Sequence, residues 1–308
     1  MSRSLKAHLS LVAMSLVWGA TFVVIKSAVA DISPLLFNAI RMSCAALILA
    51  LAFHRHLPGM KLGAIQSGGV AGFFLYLGNE LQTTGLRYTT ASKSAFLTGV
   101  SVVLVPVFLA LFWRRGLNRW SVAGVALAFG GLYLLTVPSR PGAGLNLSSL
   151  NRGDLYTLGA AVSFAFHIIV IGHVTREHRW QQITVIQVIV TALLMVVTAA
   201  GLETPQVAWT GRVYSGIAIT ACLSLALAFA VQAWAQQYTP PTHAALIFSL
   251  EPVFAWVTSF LFLGERLGSR AALGAACILA GVLISEQKGS AESIGVPMDH
   301  ASVREIVE

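Results

Sequence analysis

The sequence predicts an all-α integral membrane protein, with ten transmembrane helices forming two inverted five-helix repeats. Three observations predict it. Of 308 residues, 56% are hydrophobic and only 10% charged, whereas a soluble domain carries roughly 25% charged residues. Continuous apolar runs of the length that crosses a bilayer as a helix recur along most of the chain. The second half of the chain also aligns with the first. Helices are favoured over barrel strands because the runs do not alternate, and a spanning backbone must satisfy its own hydrogen bonds.

The runs fall at about 9–29, 34–53, 62–84, 91–113, 121–137, 155–174, 184–202, 214–236, 244–263 and 271–285. Arg3 and Lys6 precede the first run as they would a signal peptide. That run is longer than a typical signal core, however, and no small-residue cleavage site leads into a soluble chain, so it reads as a permanent helix. Lys and Arg in the short loops orient the bundle. With the N-terminus inside, the first five helices place Arg3, Lys6, Arg55, Lys61, Arg114, Arg115 and Arg119 on the inner side and Lys26, Arg87 and Lys93 on the outer. The second half is nearly balanced, so the first half sets the topology. An even number of spans then returns the C-terminus to the inside. Residues 289–308 are polar and acidic and read as a flexible cytoplasmic tail.

The formal net charge of +8 comes from residues scattered over loops on both faces, without a basic stripe interleaved with aromatics, so no nucleic-acid partner is expected. Cys44, Cys222 and Cys277 are isolated within predicted helices and fit neither a disulfide nor a metal site.

A shift of 150 residues aligns 88–135 with 238–285 without a gap, and 11 of 48 positions are identical, among them Tyr88/Tyr238, Ala95/Ala245, Gly124/Gly274 and Gly131/Gly281. A shift of 146 lays 12–24 over 158–170 and 39–47 over 185–193. The chain therefore reads as a duplicated unit, 1–140 and 141–288, followed by the tail. Five helices per unit put the copies in opposite orientations, the arrangement that alternating-access transporters use around a central site.

Several segments carry a family resemblance: Trp18-Gly19-Ala20-Thr21-Phe22, Tyr88-Thr89-Thr90-Ala91-Ser92, the run from Ala244 through Leu250-Glu251-Pro252 to Ala255, and Leu263-Gly264-Glu265-Arg266-Leu267. With these the chain resembles the EamA-type branch of the drug/metabolite transporter superfamily over all but its tail. The resemblance implies ten helices in two units, a multi-pass place in the bacterial inner membrane with both termini cytoplasmic, and movement of small metabolites, often export.

Charged residues inside spans are the first candidates for function. A charge at a helix centre costs roughly 2.5–3.5 kcal/mol, so Glu251 offsets much of the insertion energy of its own span and should avoid lipid. It reads either as a proton-coupling or solute-contacting carboxylate or as a structural partner beside the break made by Pro252. Glu80, next to Asn79, with Tyr76 and Thr83 one turn away, forms a polar stripe that suits a wet pathway and is the second proton-coupling candidate. Arg41 either holds a solute carboxylate or pairs with Glu80 or Glu251; Gln187 takes its place in the second repeat. Trp18 and Phe22 share a face with Lys26, which near the outer end reads as snorkelling to the interface. His167, Gln232, Gln236 and His243 complete the pathway candidates, with helix–helix hydrogen bonding as the competing role. Glu265 and Arg266 read as a structural turn, and Gly68, Gly72, Gly124 and Gly274 as points of close helix approach.

A membrane enzyme is the rival class, but no GxSxG, HExxH or Walker loop is present. Neither cofactor nor metal is expected. The expected partners are a small-molecule substrate and the lipid bilayer, with a homodimer an open alternative. Without an ATP-binding domain, secondary transport is the leading expectation: efflux of amino acids or related metabolites, with uptake of a small solute such as a sugar as the alternative.

Overall fold

The computed structural model describes residues 2–89, 91–114, 118–136, 151–263 and 268–285. The predicted tail, and the turn that holds Glu265 and Arg266, lie outside the described residues. Among those described, the chain is helical, and its one β-type pairing is an isolated bridge between Ile32 and Val207.

The helices start and stop where local chemistry dictates. Helix α1 (Arg3–Ala28) is capped by Ser2, whose side chain accepts from the Leu5 N–H. Pro34 opens α2 (Pro34–Phe53), where its missing N–H is no loss. A 3₁₀ turn, His54–His56, leads on to α3 (Leu62–Tyr88). Next come α4 (Ala91–Gly99), α5 (Ser101–Phe112) and α6 (Arg119–Thr136). Helix α7 (Arg152–Glu177) begins with a capping box between Asn151 and Asp154, and α8 (Trp180–Leu202) follows.

The predicted spans 91–113, 214–236 and 244–263 are not continuous α-helices. The first divides at Val100 into α4 and α5. The second runs as α9 (Gly211–Ile219), a π-helical stretch (Thr220–Leu227) and α10 (Ala228–Ala235). The third divides at Ser249 and Leu250 into α11 (Pro241–Phe248) and α12 (Glu251–Leu263). Pro252 favours this last break, because it has no N–H to offer and its ring would clash with the carbonyl four residues back in a continuous helix. The turn tightens instead, with Leu250 N–H bonding Ile247 O at 3.0 Å. Helix α13 (Ser269–Ile284) closes the described chain.

Six of these segments are long and apolar enough to cross a membrane, and α6 and α13 supply shorter apolar helices. Helix α3 has the length but spends Asn79, Glu80, Gln82 and Thr83 on polar contacts, three of them buried. Large apolar side chains face outward around the bundle, Leu51 at 65% and Val197 at 68% exposure among them. In water such a surface would drive aggregation; in a bilayer it matches the solvent.

Packing is set by small residues, as expected where lipid gives helices no hydrophobic reason to associate. Helix α3 lies between α7 and α8. A Cβ on Gly68 would come within 2.7 Å of Ile186, and one on Gly72 within 2.6 Å of Gln187 O. Helices α6 and α13 run antiparallel in reciprocal contact: Gly124 abuts the Gly281 carbonyl, and Gly131 the Gly274 carbonyl. At one end of the bundle the α1–α2 turn meets the α8–α9 connection, where Ser33 N–H bonds Gln206 O at 2.9 Å and Arg212 pairs with Asp31 at 2.9 Å.

Candidate solute site

The discontinuities meet at one place. A cavity of about 690 Å³, counting the space that opens to solvent, lies where α1, α2, α3 and α7 face the π-helical stretch, α10 and the two helix breaks. Helix α1 supplies Trp18, Thr21, Phe22 and Ile25, and α7 supplies Phe164, His167 and Ile168. Arg41, Asn79 and Gln82 enter from α2 and α3. Ser101 stands at the break between α4 and α5, and Glu251 at the break between α11 and α12. These two positions correspond under the 150-residue shift.

Trp18 is fixed by the irregular helix opposite. In the π-helical stretch the Ala228 N–H reaches back five residues to Leu223 O and passes over Ser224 O. The Trp18 indole N–H donates to that carbonyl at 2.8 Å. The ring also lies 5.0 Å, edge-on, from Phe248 and 5.8 Å from Phe229. A π-bulge of this kind is common at functional sites. The close fit of α1 continues at Gly19, where a Cβ would stand 2.5 Å from the Glu251 carbonyl oxygen. The Glu251 carboxyl itself faces the cavity and has no hydrogen bond or ion pair among the described residues.

Arg41 and Glu80 are neighbours without being an ion pair. Arg41 Nε donates to Asn38 Oδ1 at 3.0 Å, and Nη2 donates to Asn79 Oδ1 and Thr83 Oγ1, each at 3.2 Å. Glu80 accepts from Asn38 Nδ2 at 2.9 Å and from Thr198 Oγ1 at 3.3 Å. The pairing of Arg41 with an acid, open from the sequence, is thus replaced by an asparagine-bridged network. Glu80 sits behind the cavity wall within that network.

Gln236 Nε2 donates to Ile168 O at 2.9 Å, and Gln232 Nε2 donates to Gln236 Oε1 at 2.8 Å. Because a carbonyl can only accept, Ile168 fixes the direction of both amides. Of the two, Gln232 reaches the lining. Gln187 bonds the His167 ring at 2.8 Å from behind the wall. Tyr76 packs, half-buried, against the core between α2 and α8, and His243 is buried in the first turn of α11. Lys26 does not reach out to the interface as its position suggests. Its ammonium donates to Leu86 O and Thr89 O, capping the C-terminal end of α3 where the helix dipole is negative.

Of the residues singled out from sequence, Trp18, Phe22, Arg41, Asn79, His167, Gln232 and Glu251 converge on the cavity, whereas Tyr76, Glu80, Gln187, Gln236 and His243 lie outside its lining. Sequence reading missed Thr21, Gln82, Thr98, Ser101, Ser224, Phe229 and Phe248. Two of them carried a usable signal in the repeat: Ser101 is the counterpart of Glu251, and Thr21 that of His167.

A model of the EamA-like transporter family matches residues 5–137 and again residues 151–286. The chain belongs to the EamA-like transporter family. An uncharacterized transporter of Archaeoglobus fulgidus is 34% identical over 288 residues, spanning 92% of this chain and 86% of that protein. The uncharacterized transporter YoaV of Bacillus subtilis is 24% identical, spanning 91% and 96%. A solved crystal structure at 16% identity superposes with a TM-score of 0.74 over 94% of this chain and 99% of that one, which shows the same fold. The cavity therefore belongs to a membrane-embedded transporter.

Proposed function

We propose that this family member is a secondary transporter of the bacterial inner membrane that exports amino acids or related small metabolites through the central cavity by alternating access. The observation that carries the reading is the cavity itself, built at two helix breaks that correspond under the repeat and holding a carboxyl, Glu251, with no protein partner among the described residues. Discontinuous helices at a repeat interface are where transporters hold solute and coupling ion. One guanidinium, one carboxyl and aromatic walls suit a small solute that carries both charges and an apolar part. The direction, outward, follows the family resemblance.

The underlying architecture is ten spans in two inverted units, 1–140 and 141–288, with both termini cytoplasmic. It is supported by the two separate stretches that match the family. The antiparallel, reciprocal glycine contacts of α6 and α13 also support it, since oppositely oriented copies produce such a crossing.

Glu251 is the proposed proton carrier. Inside-out vesicles with an acidic lumen should accumulate the solute from a metabolite panel. Glu251→Gln keeps the shape of the side chain but cannot release a proton, so it should abolish the dependence on the gradient while leaving exchange of solute for solute. Gradient-driven accumulation at the wild-type level in Glu251→Gln would reduce the residue to a structural role.

A further inference from the structure

An arginine inside a bilayer must be compensated, and the contacts of Arg41 compensate only part of it. A guanidinium has five N–H donors in a fixed fork. Nε and Nη2 are engaged by Asn38, Asn79 and Thr83, and the guanidinium carbon lies 5.1 Å from the centre of the Phe37 ring. Nη1 makes no hydrogen bond among the described residues, although the side chain is only 1% exposed and lines the cavity. Two donors of a buried, clamped cation are therefore unused.

The acid that would neutralise this cation is close but engaged elsewhere. Asn38 turns its amide oxygen to Arg41 and its amide hydrogens to Glu80 Oε2 and to Asn79 O. The Asn79 carbonyl accepts only, so the orientation of the Asn38 amide is fixed. Asn38 thus separates a cation and an anion that would otherwise collapse into a pair. A paired arginine would spend its free donors on the acid; the separated one keeps the Nη1 N–H groups unused.

The geometry points to Arg41 Nη1 as the docking point for a carboxylate of the transported solute, with Asn38 as the positioning residue that keeps Arg41 from closing onto Glu80. This rests on the reading of the cavity as the solute path. A carboxylate fits better than a phosphate. Among the described lining residues Arg41 is the one permanent cation and Glu251 adds a carboxyl, so a doubly charged phosphate would be under-compensated. Trp18, Phe22 and Phe229 leave an aromatic surface for the apolar remainder of such a solute.

The test uses the full chain in lipid nanodiscs, read by ligand-induced thermal stabilisation, and in proteoliposomes, read by solute flux. The probes are a panel of L-amino acids, each paired with its amide, together with 3-phenylpropionate and inorganic phosphate. Carboxylates should bind and their amides should bind at least about tenfold more weakly, with no response to phosphate. Asn38→Leu should raise the half-saturation constant about tenfold with little change in maximal flux. Adding Glu80→Gln should restore it, because the competing acid is then gone. If Asn38→Leu does not reach the membrane, Asn38→Asp tests the same point: its carboxylate neutralises Arg41 directly, and Glu80→Gln should not rescue it. Equal binding of acid and amide, preference for phosphate, or Asn38 variants with unchanged constants would overturn the assignment while leaving transport intact. Silence of the whole panel with the wild-type chain would remove the solute-path reading and this proposal together.

Discussion

Replacing Gly19 by alanine is the sharpest probe of how the α1 wall is held against the Glu251 break. A Cβ at this position would lie 2.5 Å from the Glu251 carbonyl oxygen, 2.9 Å from the Ala255 nitrogen and 3.2 Å from Phe254 Cβ. The first two are backbone atoms of α12, so no side chain can rotate away. Restoring ordinary contact requires α1 to retreat by roughly half an ångström or more, enough to forfeit a quarter or more of the dispersion energy at the contacts it leaves. Overpacking of this kind costs about 1–3 kcal/mol, against a gain of about 1 kcal/mol in helix propensity from glycine to alanine.

A net destabilisation of up to about 2 kcal/mol is therefore expected, and one of about 1–3 kcal/mol relative to a glycine-to-alanine change that meets no neighbour. Thermal unfolding of the detergent-solubilised protein measures it. Gly130→Ala is the internal control: it also lies within a helix, but its Cβ would meet nothing within 4 Å. The control should be neutral or stabilising, and Gly19→Ala should lower both Tm and flux. If Gly19→Ala were as stable as Gly130→Ala, the close approach of α1 to α12 would be refuted.

Trp18→Phe keeps an aromatic ring but removes the donor to Ser224 O, so the uncovered carbonyl should lower stability by about 1–3 kcal/mol in the same assay; Ser224→Ala retains that carbonyl and should have the smaller effect. Asp154→Ala removes the carboxylate that accepts from Asn151 N–H at 2.9 Å and Thr89 Oγ1 at 2.8 Å, unpinning the start of α7 from the end of α3. A loss of about 1–3 kcal/mol is expected on chemical unfolding. Cysteines placed at both chain ends should react with impermeant reagent from the same face of the membrane; labelling from opposite faces would contradict an even number of spans.

Much of this was legible in the residues alone. The apolar composition announces a membrane protein, and most helix positions follow from runs of bilayer length, because lipid leaves the backbone no partner but itself. The repeat was visible at Gly124/Gly274 and Gly131/Gly281, and the close approach expected at Gly124 and Gly274 is present in the packing, Gly124 against Gly281 and Gly274 against Gly131. Trp18, Arg41 and Glu251 stood out because polar or bulky groups in the middle of a span are expensive. Less was legible where the outcome depends on a partner distant in sequence. Lys26 looked like an interfacial lysine until the end of α3 was placed beside it. Nothing local marks Ser224 as the residue whose carbonyl a tryptophan would claim.

The sequence by itself determined the solvent of this protein, its helical backbone and the internal duplication, since each follows from side-chain hydrophobicity and spacing along one strand of chain. Only the tertiary structure decided which polar groups face one another: that Asn38 separates Arg41 from Glu80, that Glu80 sits behind the wall and Glu251 in it, and that the helix breaks meet at one cavity. Hydrogen bonds and close contacts are short-ranged and directional, so a shift of a turn or a rotation of one helix reassigns them without changing a single hydrophobic run.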